Sequence, residues 1–212
     1  MKQIVIGVHL EREEVEPVAE AIPTGDLWFS AISVPDDQPI GDRDLVLRVA
    51  RIRAKLLDRA TFIAVRYGYV APPPPATRAG EGAGAPLRQW RATLEANRHN
   101  VEMTLKVASS SPKPRPRRED FSSGAAYLHA LHESSAEVDE TFKAAAEKSI
   151  DAIDHRWFPR DNASIEMAAL IQRDRIDEVR AAGESLKRDF PHVPFLLSGP
   201  WPLEVFAADN LS

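Results

Sequence analysis

The sequence of 212 residues contains no cysteine. This absence excludes disulfide bonds, thiolate nucleophiles and zinc sites with cysteine ligands, and it favours a reducing compartment. Basic residues are in deficit, because 27 lysines and arginines stand against 32 aspartates and glutamates, which gives a formal net charge of -5. Domains that bind nucleic acids are usually basic. The charge balance therefore does not indicate a nucleic-acid partner.

Long hydrophobic runs are also missing. The N-terminal run in MKQIVIGVHLEREE is apolar over only about eight residues and ends in charges, so it is too short for a signal peptide and is typical of a strand. No stretch approaches the roughly 20 apolar residues that a membrane-spanning helix needs. We therefore expect a soluble, cytoplasmic protein. A hydrophobic content of 43% suffices for one sizeable core or two small ones.

Proline is abundant, and its positions indicate loops. Of the 17 prolines, four stand together at residues 72–75 and three alternate in SPKPRPRR, residues 111–118. Proline lacks an N–H group and has a fixed φ, so neither stretch is compatible with a helix or an inner strand. Both stretches are predicted to be surface loops with polyproline II character. The glycine-rich RAGEGAGA that follows the first stretch is predicted to be flexible.

The first hundred residues predict an α+β unit. Short apolar runs at residues 4–8, 27–34 and 61–65 indicate strands. Asp42 can cap a helix whose apolar positions recur every three or four residues from Leu45 to Leu56. Pro86 suits the first turn of a further helix. The predicted order is strand, short helix, strand, helix, strand, loop and helix, and the unit is assigned to residues 1–100.

The second half has clearer periodicity. Residues 101–107 alternate between an apolar face and a polar face, as in a sheet with one buried side. One long helix is predicted over residues 122–149, then strands at 152–158 and 165–171, a helix over 176–190 and a last strand at 193–197. This β-α-β-β-α-β order is that of a ferredoxin-like domain, assigned to residues 101–212 with the C-terminal tail. Gly183 is predicted to allow the last helix to approach the sheet closely.

No pattern in the sequence defines a catalytic or metal site. His129 and His132 are spaced to share a metal ion, but no third ligand is evident, so a solvated helix face is the favoured interpretation. The segment GEGAG lacks the strand and the lysine of a phosphate-binding loop. The basic segment KPRPRR, residues 113–118, could contact an acidic partner, although a solvated loop is favoured. We therefore predict no cofactor and no metal.

Five segments together resemble the gas vesicle protein GvpF/GvpL family. FIAVRYGYV resembles the family's P-x-R-F-G segment, VEMTLKV its V-E-x-x-V-K-V strand, and SGAAYLHAL its G-R-A-Y-L helix start. SIEMAALIQRDRIDEVRAAGESL is similar to its strand-then-helix segment, and LLSGPWPLEVF to its ending L-T-G-P-W-P-P-Y-S-F. The shared order of the segments, ending in Gly-Pro-Trp-Pro, is what makes the resemblance specific.

The resemblance implies a non-enzymatic accessory protein of gas vesicle assembly. Such a protein would have two α+β domains and a C-terminal segment that packs back on the body. Its partners would be the small hydrophobic shell protein and other accessory proteins. The matching positions are taken as structural or partner-binding residues: Arg66, Tyr67, Gly68, Glu102, Lys106, Tyr127, Leu128, Gly199, Pro200, Trp201, Pro202 and Phe206. The sequence departs from the family at Tyr67, where the family has phenylalanine, at Ala125, where it has arginine, and at residues 203–205.

The Gly-Pro-Trp-Pro segment leads to two interpretations of Trp201. Gly199 is expected to end the last strand abruptly, and the two flanking prolines to stiffen the exit. The favoured interpretation seats Trp201 as a buried plug, between the two domains or against the sheet, that pins the tail. The other makes it a partner-facing anchor, since tryptophan is often an interface hot spot. Arg66 is expected to reach a carboxylate, with Glu102 as the candidate, rather than to be a simple surface cation.

Two further functions stay open at this point. A ferredoxin-like domain could bind a small molecule as a regulatory protein, although this rests on fold analogy alone. An enzyme of the dimeric α+β barrel kind would use His155 or His129 as a base. We expect no such activity.

Overall fold

A computed structural model of the chain describes residues 1–13, 19–70, 84–109, 116–133, 138–159 and 163–208. These residues form a mixed α and β structure with two four-stranded antiparallel sheets. Two compact units are distinguished, one from Met1–Val101 with Trp201–Ser212, the other from Glu102–Pro200. The residues after 200 thus group with the first unit, whereas the sequence had assigned them to the second domain.

The first unit is built on a sheet with the order β2-β3-β1-β4. β1 pairs with β3 along its whole length, with an irregularity between Val5 and Gly7. The helices are α1 and α2, and a short α6 ends the described chain. The elements are β1 (Lys2–His9), β2 (Glu20–Thr24), β3 (Leu27–Val34), α1 (Arg43–Leu57), β4 (Ile63–Ala64), α2 (Gly84–Ala96) and α6 (Val205–Ala208).

Helix α1 begins where the sequence predicted. The Asp42 carboxylate accepts a hydrogen bond of 3.0 Å from the Leu45 backbone N–H, and this satisfies one of the unpaired donors at the helix start. The four apolar side chains of the predicted inner face are 0–3% exposed, as expected of a helix that packs on a sheet: Leu45, Val49, Ile52 and Leu56.

The short helix expected between the first two strands is a wrong prediction for the residues that the structure describes. β2 lies there instead, and it pairs with β3 through a turn at Gly25, whose φ is +61°. Proline is tolerated in an edge strand, because no neighbour needs its N–H group. Because β2 contains Pro23, the pattern of apolar residues did not indicate a strand in this segment.

The second unit is built on a sheet with the order β6-β7-β5-β8. Three helices join the strands, and the chain passes from the first unit to the second within β5. The elements are β5 (Asn100–Ala108), α3 (Gly124–Glu133), α4 (Glu140–Ile150), β6 (Asp154–Pro159), β7 (Ser164–Gln172), α5 (Ile176–Asp189) and β8 (Phe195–Trp201). The predicted turn after β6 and the two proline-rich stretches lie largely or wholly outside the described residues.

The single long helix predicted over residues 122–149 is wrong, because two helices occupy this region. α4 has its own start, where the Asp139 carboxylate accepts a hydrogen bond of 2.7 Å from the Thr141 N–H. The same bond holds the pKa of Asp139 below its usual value. A capping aspartate favours a new helix start over a continuing helix. Apolar spacing alone could not distinguish the two.

The burial of β5 follows the predicted alternation on its apolar face. The side chains on its apolar face are 0–1% exposed: Val101, Met103, Leu105 and Val107. Phe142 on α4 is fully buried and contacts the rings of Phe190 and Phe195, with both centroid distances at 5.3 Å. Gly183 of α5 faces β8, and a Cβ atom there would lie 2.6 Å from Leu197 Cδ2. The predicted close approach at Gly183 is confirmed.

Candidate partner-binding site

The closing segment, residues 201–208, adds to the outer edge of β4 in the first unit. Leu203 N–H donates a hydrogen bond of 2.9 Å to the Phe62 carbonyl, and Ala64 N–H donates one of 3.0 Å to the Leu203 carbonyl. Two motif segments that lie far apart in the sequence, residues 62–70 and 196–206, are therefore hydrogen-bonded to each other. This arrangement also covers part of a sheet edge that would otherwise expose unpaired backbone groups.

Three apolar side chains fix the closing segment. Leu203 is fully buried, Ala207 is 2% exposed and Phe206 is 7% exposed. Burying a leucine or phenylalanine side chain stabilises a protein by roughly 1.5–3 kcal/mol relative to leaving it in water. Leu203 and Phe206 therefore supply the packing that the sequence analysis had assigned to Trp201.

The interpretation of Trp201 as a buried plug is wrong, because its side chain is 47% exposed. The indole follows Pro200 and precedes Pro202, two residues with fixed φ. Leu203, two residues after Trp201, is held in place by two backbone hydrogen bonds. The result is a large, partly exposed aromatic side chain on a stiff and anchored backbone. Preorganisation of this kind lowers the entropy cost of binding.

Gly199 does not end the last strand, because β8 continues through it to Trp201. Its φ is +125°, a conformation that side-chain-bearing residues rarely adopt. A Cβ atom there would lie 2.7 Å from Met103 Sδ and 3.1 Å from the Glu102 carbonyl oxygen. Glycine is needed at this position because β8 lies directly against β5, a role that glycine often has inside strands.

The turn that follows β4 contains the motif residues Tyr67 and Gly68. The Tyr67 hydroxyl donates a hydrogen bond of 2.5 Å to the Ile40 carbonyl. Gly68 has a φ of +88°, and a Cβ atom there would lie 2.9 Å from Ile40 Cγ2. Burial, and to a smaller extent the Asp42 carboxylate, raises the pKa of Tyr67. The two residues therefore fasten this turn to the segment that leads into α1.

Replacing Tyr67 with phenylalanine, the residue of the related family, is expected to lower the free energy of unfolding by about 0.5–1.5 kcal/mol. The reason is that the Ile40 carbonyl loses its hydrogen-bond donor. Urea denaturation compares Tyr67→Phe with Tyr69→Phe, whose parent side chain is 49% exposed. Equal stability of the Tyr67 variant and the wild type would refute the structural role of the hydroxyl.

Arg53 is a site residue that the sequence analysis missed. Its guanidinium is half-buried and donates a hydrogen bond to the Val65 carbonyl at the end of β4. Burial lowers the pKa of Arg53, and the carboxylate of Glu204 in the closing segment opposes this shift. Arg53 thus links α1 with the residue that follows β4 and with the closing segment. In the sequence, the position of Arg53 beside the apolar face of α1 indicated that its side chain could be partly buried.

Arg66 lies in the same turn as Tyr67, and its side chain is exposed. Its carbonyl accepts a hydrogen bond of 3.2 Å from the Tyr69 N–H, which closes the turn. The expected ion pair between Arg66 and Glu102 stays a prediction.

Glu102 and Lys106 of β5 differ in their surroundings, although the sequence placed both on a polar face. Lys106 is exposed, whereas Glu102 is 3% exposed and has an interaction partner. A buried carboxylate is costly unless it is hydrogen-bonded or paired. The polar face of β5 is therefore solvated only in part, which strict alternation could not reveal.

Tyr127 and Leu128 lie on α3, in the second unit. The Tyr127 ring packs at a centroid distance of 6.0 Å on Phe121. Leu128 is 64% exposed. Tyr127 is therefore a local packing residue, and Leu128 is an exposed apolar side chain in the second unit.

His9 is a buried titratable residue to which the sequence analysis gave no role. Its ring is 1% exposed, stacks on Phe62 at 5.1 Å, and has Nε2 2.8 Å from the Ser30 hydroxyl oxygen. Burial lowers the pKa of His9 from 6.5 to about 4. The sequence indicated this burial, because His9 lies within an apolar run at the end of a buried strand.

The low pKa of His9 predicts loss of stability in acid. The unfolded chain binds a proton at His9 near pH 6.5, whereas the folded chain does so only near pH 4. The stabilisation is therefore complete above pH 6.5 and is lost as the pH falls towards 4. An NMR titration of the His9 ring should give a midpoint near 4. The exposed His99 serves as the comparison, and a His9 midpoint near 6.5 would contradict the account.

Of the histidines considered as ligands or bases, the side chain of His132 lies outside the described part of the structure. Across the described ranges, no three side chains of the ligand types histidine, aspartate and glutamate come together. His155 Nε2 lies 3.4 Å from Glu147 Oε1, and the same carboxylate oxygen accepts a hydrogen bond of 2.7 Å from Trp157 Nε1. His129 is exposed on α3. No helix in the described ranges has the length and apolar character needed to cross a membrane.

The architecture is that of the solved GvpF structures. Crystal structures of the gas vesicle protein GvpF from Microcystis aeruginosa and from Anabaena sp. PCC7120 superpose with TM-scores of 0.72 and 0.63. Each match covers 97% of this chain and 98% of the other, at 11% sequence identity. At this identity the likeness concerns the fold alone. No curated protein is significantly similar to the chain in sequence.

The sequence matches the family model of the gas vesicle synthesis protein GvpL/GvpF over residues 11–206. The chain belongs to this family. The resemblance inferred from five short segments is thereby confirmed.

Proposed function

We propose that this chain is an accessory protein of gas vesicle assembly that binds the hydrophobic shell protein and other accessory proteins and catalyses no reaction. The family match over residues 11–206 carries the proposal. In this proposal the chain acts in the cytoplasm and at the growing vesicle. It has two α+β domains, the second of them ferredoxin-like. The strand order β6-β7-β5-β8, in which the first strand of that unit lies between the last and the third, supports the ferredoxin-like assignment.

A binding role follows from the properties of a shell protein. A polypeptide that later forms an apolar wall exposes hydrophobic surface before assembly and is prone to aggregate. A soluble partner can hold such a segment on a sheet edge or against an apolar surface. The accessory protein then has to release the segment, so the contact should centre on a few strong residues rather than on a large obligate interface.

Trp201 is the residue we propose as the anchor for the shell protein. The side chain is 47% exposed, whereas its neighbour Leu203 is fully buried and fixes the backbone. Tryptophan is strongly enriched among residues that dominate binding energy. In this proposal, Leu203 and Phe206 stabilise the closing segment, and Trp201 recognises the shell protein. Tyr69 and Val70, which are 49% and 38% exposed, are further apolar side chains of the same unit.

The test is the binding of purified shell protein to the immobilised chain. Trp201→Ala should weaken binding by about 30-fold, which corresponds to a hot-spot contribution of about 2 kcal/mol. Leu196→Ala is the matched control, because Leu196 also lies in β8 and is 62% exposed. Its affinity should equal that of the wild type. If the wild-type chain retains no shell protein, the proposed function fails. If it binds but Trp201→Ala binds equally well, only the anchor assignment fails.

A further inference from the structure

Helix α1 has a second, outward apolar stripe opposite the face that packs in the core. Val46 and Leu47 are 40% and 42% exposed, and Ala50 and Ala54 are exposed as well. At 100° per residue these four side chains fall within an arc of about 100°. A surface helix normally has polar residues on its outer face. The outward stripe of α1 is therefore a feature that packing among the described residues does not explain.

Basic side chains flank this stripe. α1 carries five basic residues and one acidic residue, although the whole chain has a formal net charge of -5. Arg53 is used internally, and the other four basic side chains are exposed: Arg43, Arg48, Arg51 and Lys55. Arg48, Arg51 and Lys55 project along one side of the stripe, and Arg43 stands at its N-terminal end. A concentrated positive surface of this kind on an acidic protein attracts an acidic partner.

The charges of α1 serve helix stability only in part. Asp44 in the first turn and Lys55 in the last turn suit the helix dipole, but other charges of the helix do not. Arg51 and Lys55 are like charges at i and i+4, an arrangement that destabilises a helix. Arg43 occupies the first turn, where the helix dipole disfavours a cation. Among the described residues, no ion pair joins any of the four exposed basic side chains to a carboxylate. On α5, by contrast, Arg180 pairs with Asp177 at 3.2 Å and Lys187 with Glu184 at 2.6 Å.

We propose that the outward face of α1 docks an acidic amphipathic helix of another polypeptide. The apolar side of that helix would cover Val46, Leu47 and the small side chains of Ala50 and Ala54, which permit a close approach. Its flanking glutamates or aspartates would pair with Arg48, Arg51 and Lys55. A helix of 15 residues is about 22 Å long and offers a partner helix about four turns of contact. This surface is distinct from the Trp201 site, so the inference goes beyond the proposed function.

The probe is a synthetic, fluorescein-labelled helical peptide of about five turns, with leucine and alanine on one face and glutamate on the flanks. Fluorescence anisotropy with the full chain should show saturable binding that weakens as salt is added. The triple variant R48E/R51E/K55E should bind about tenfold more weakly or worse, because three exposed pairs become repulsive. Leu47→Ser, which keeps every charge, should also weaken binding. Far-UV circular dichroism verifies that both variants fold.

The matched control is the triple variant R180E/K187E/R188E on α5, which makes the same change of net charge on another exposed helix. Its affinity should equal that of the wild type. An equal loss of peptide affinity in the α5 variant would overturn the proposal, because the attraction between peptide and chain would then depend on net charge alone. The proposal also fails if a scrambled peptide of the same composition binds as tightly, or if duplex DNA or anionic lipid vesicles bind more tightly than the peptide.

Discussion

Truncating Leu203 to alanine is expected to lower the free energy of unfolding by about 2–5 kcal/mol. Leu203 is fully buried, and its backbone makes two hydrogen bonds, with Phe62 and Ala64, that join the closing segment to the β4 edge. Truncation of a buried leucine removes apolar contacts and leaves a cavity. Urea denaturation gives the loss of stability. Hydrogen exchange at the backbone amides of residues 64 and 203 shows whether the closing segment is released from β4.

Trp201→Ala is the internal comparison for this prediction. Because the indole is 47% exposed, its removal should cost less than about 1 kcal/mol, as is usual for exposed positions. The test is which of the two variants loses more free energy of unfolding. A larger loss of stability for Trp201→Ala than for Leu203→Ala would restore the plug interpretation and would contradict the assignment of Leu203 as the packing residue.

Replacing Gly199 with alanine is expected to destabilise the second unit by about 2–5 kcal/mol. A residue with a side chain at a φ of +125° incurs strain of about 1–3 kcal/mol. The new methyl group would also lie 2.7 Å from Met103 Sδ and 3.1 Å from the Glu102 carbonyl oxygen. Overpacking of this kind costs about another 1–3 kcal/mol. β8 would have to move away from β5 to relieve the overlap.

Gly124→Ala provides the matched control for Gly199→Ala in the same unit. No atom lies within 4 Å of a Cβ at position 124, and Gly124 is the first residue of α3. The control should therefore be neutral or slightly stabilising. Hydrogen exchange of the β5 and β8 amides locates the damage. Wild-type stability of Gly199→Ala would show that the close contact between the two strands is not needed.

The sequence predicted those elements whose signals are local. The capping Asp42, the alternation in residues 101–107 and the small Gly183 each correspond to a feature of the fold. Helix starts, buried strand faces and close approaches depend on residues near in sequence, so composition and spacing suffice to find them. The start of α4 shows the limit, because Asp139 interrupts an apolar period that would otherwise continue.

The features that the sequence missed depend on contacts between distant segments. Whether Trp201 or Leu203 is buried depends on where the closing segment meets β4, a pairing of residues more than a hundred positions apart. β2 depends on pairing with β3, which overrides the weak strand propensity of a segment that contains Pro23. Likewise, the burial of Glu102 and the role of Arg53 follow from tertiary packing and not from their neighbours in the sequence.

The central claim is that the chain takes part in gas vesicle assembly by holding another polypeptide through an exposed and anchored Trp201. The most direct test deletes its gene in the host and restores either the wild-type chain or Trp201→Ala at equal abundance, with gas vesicles counted by electron microscopy. The account predicts vesicles with the wild-type chain and few or none with the folded Trp201→Ala variant. Normal vesicles in the deletion strain, or full restoration by Trp201→Ala, would contradict it.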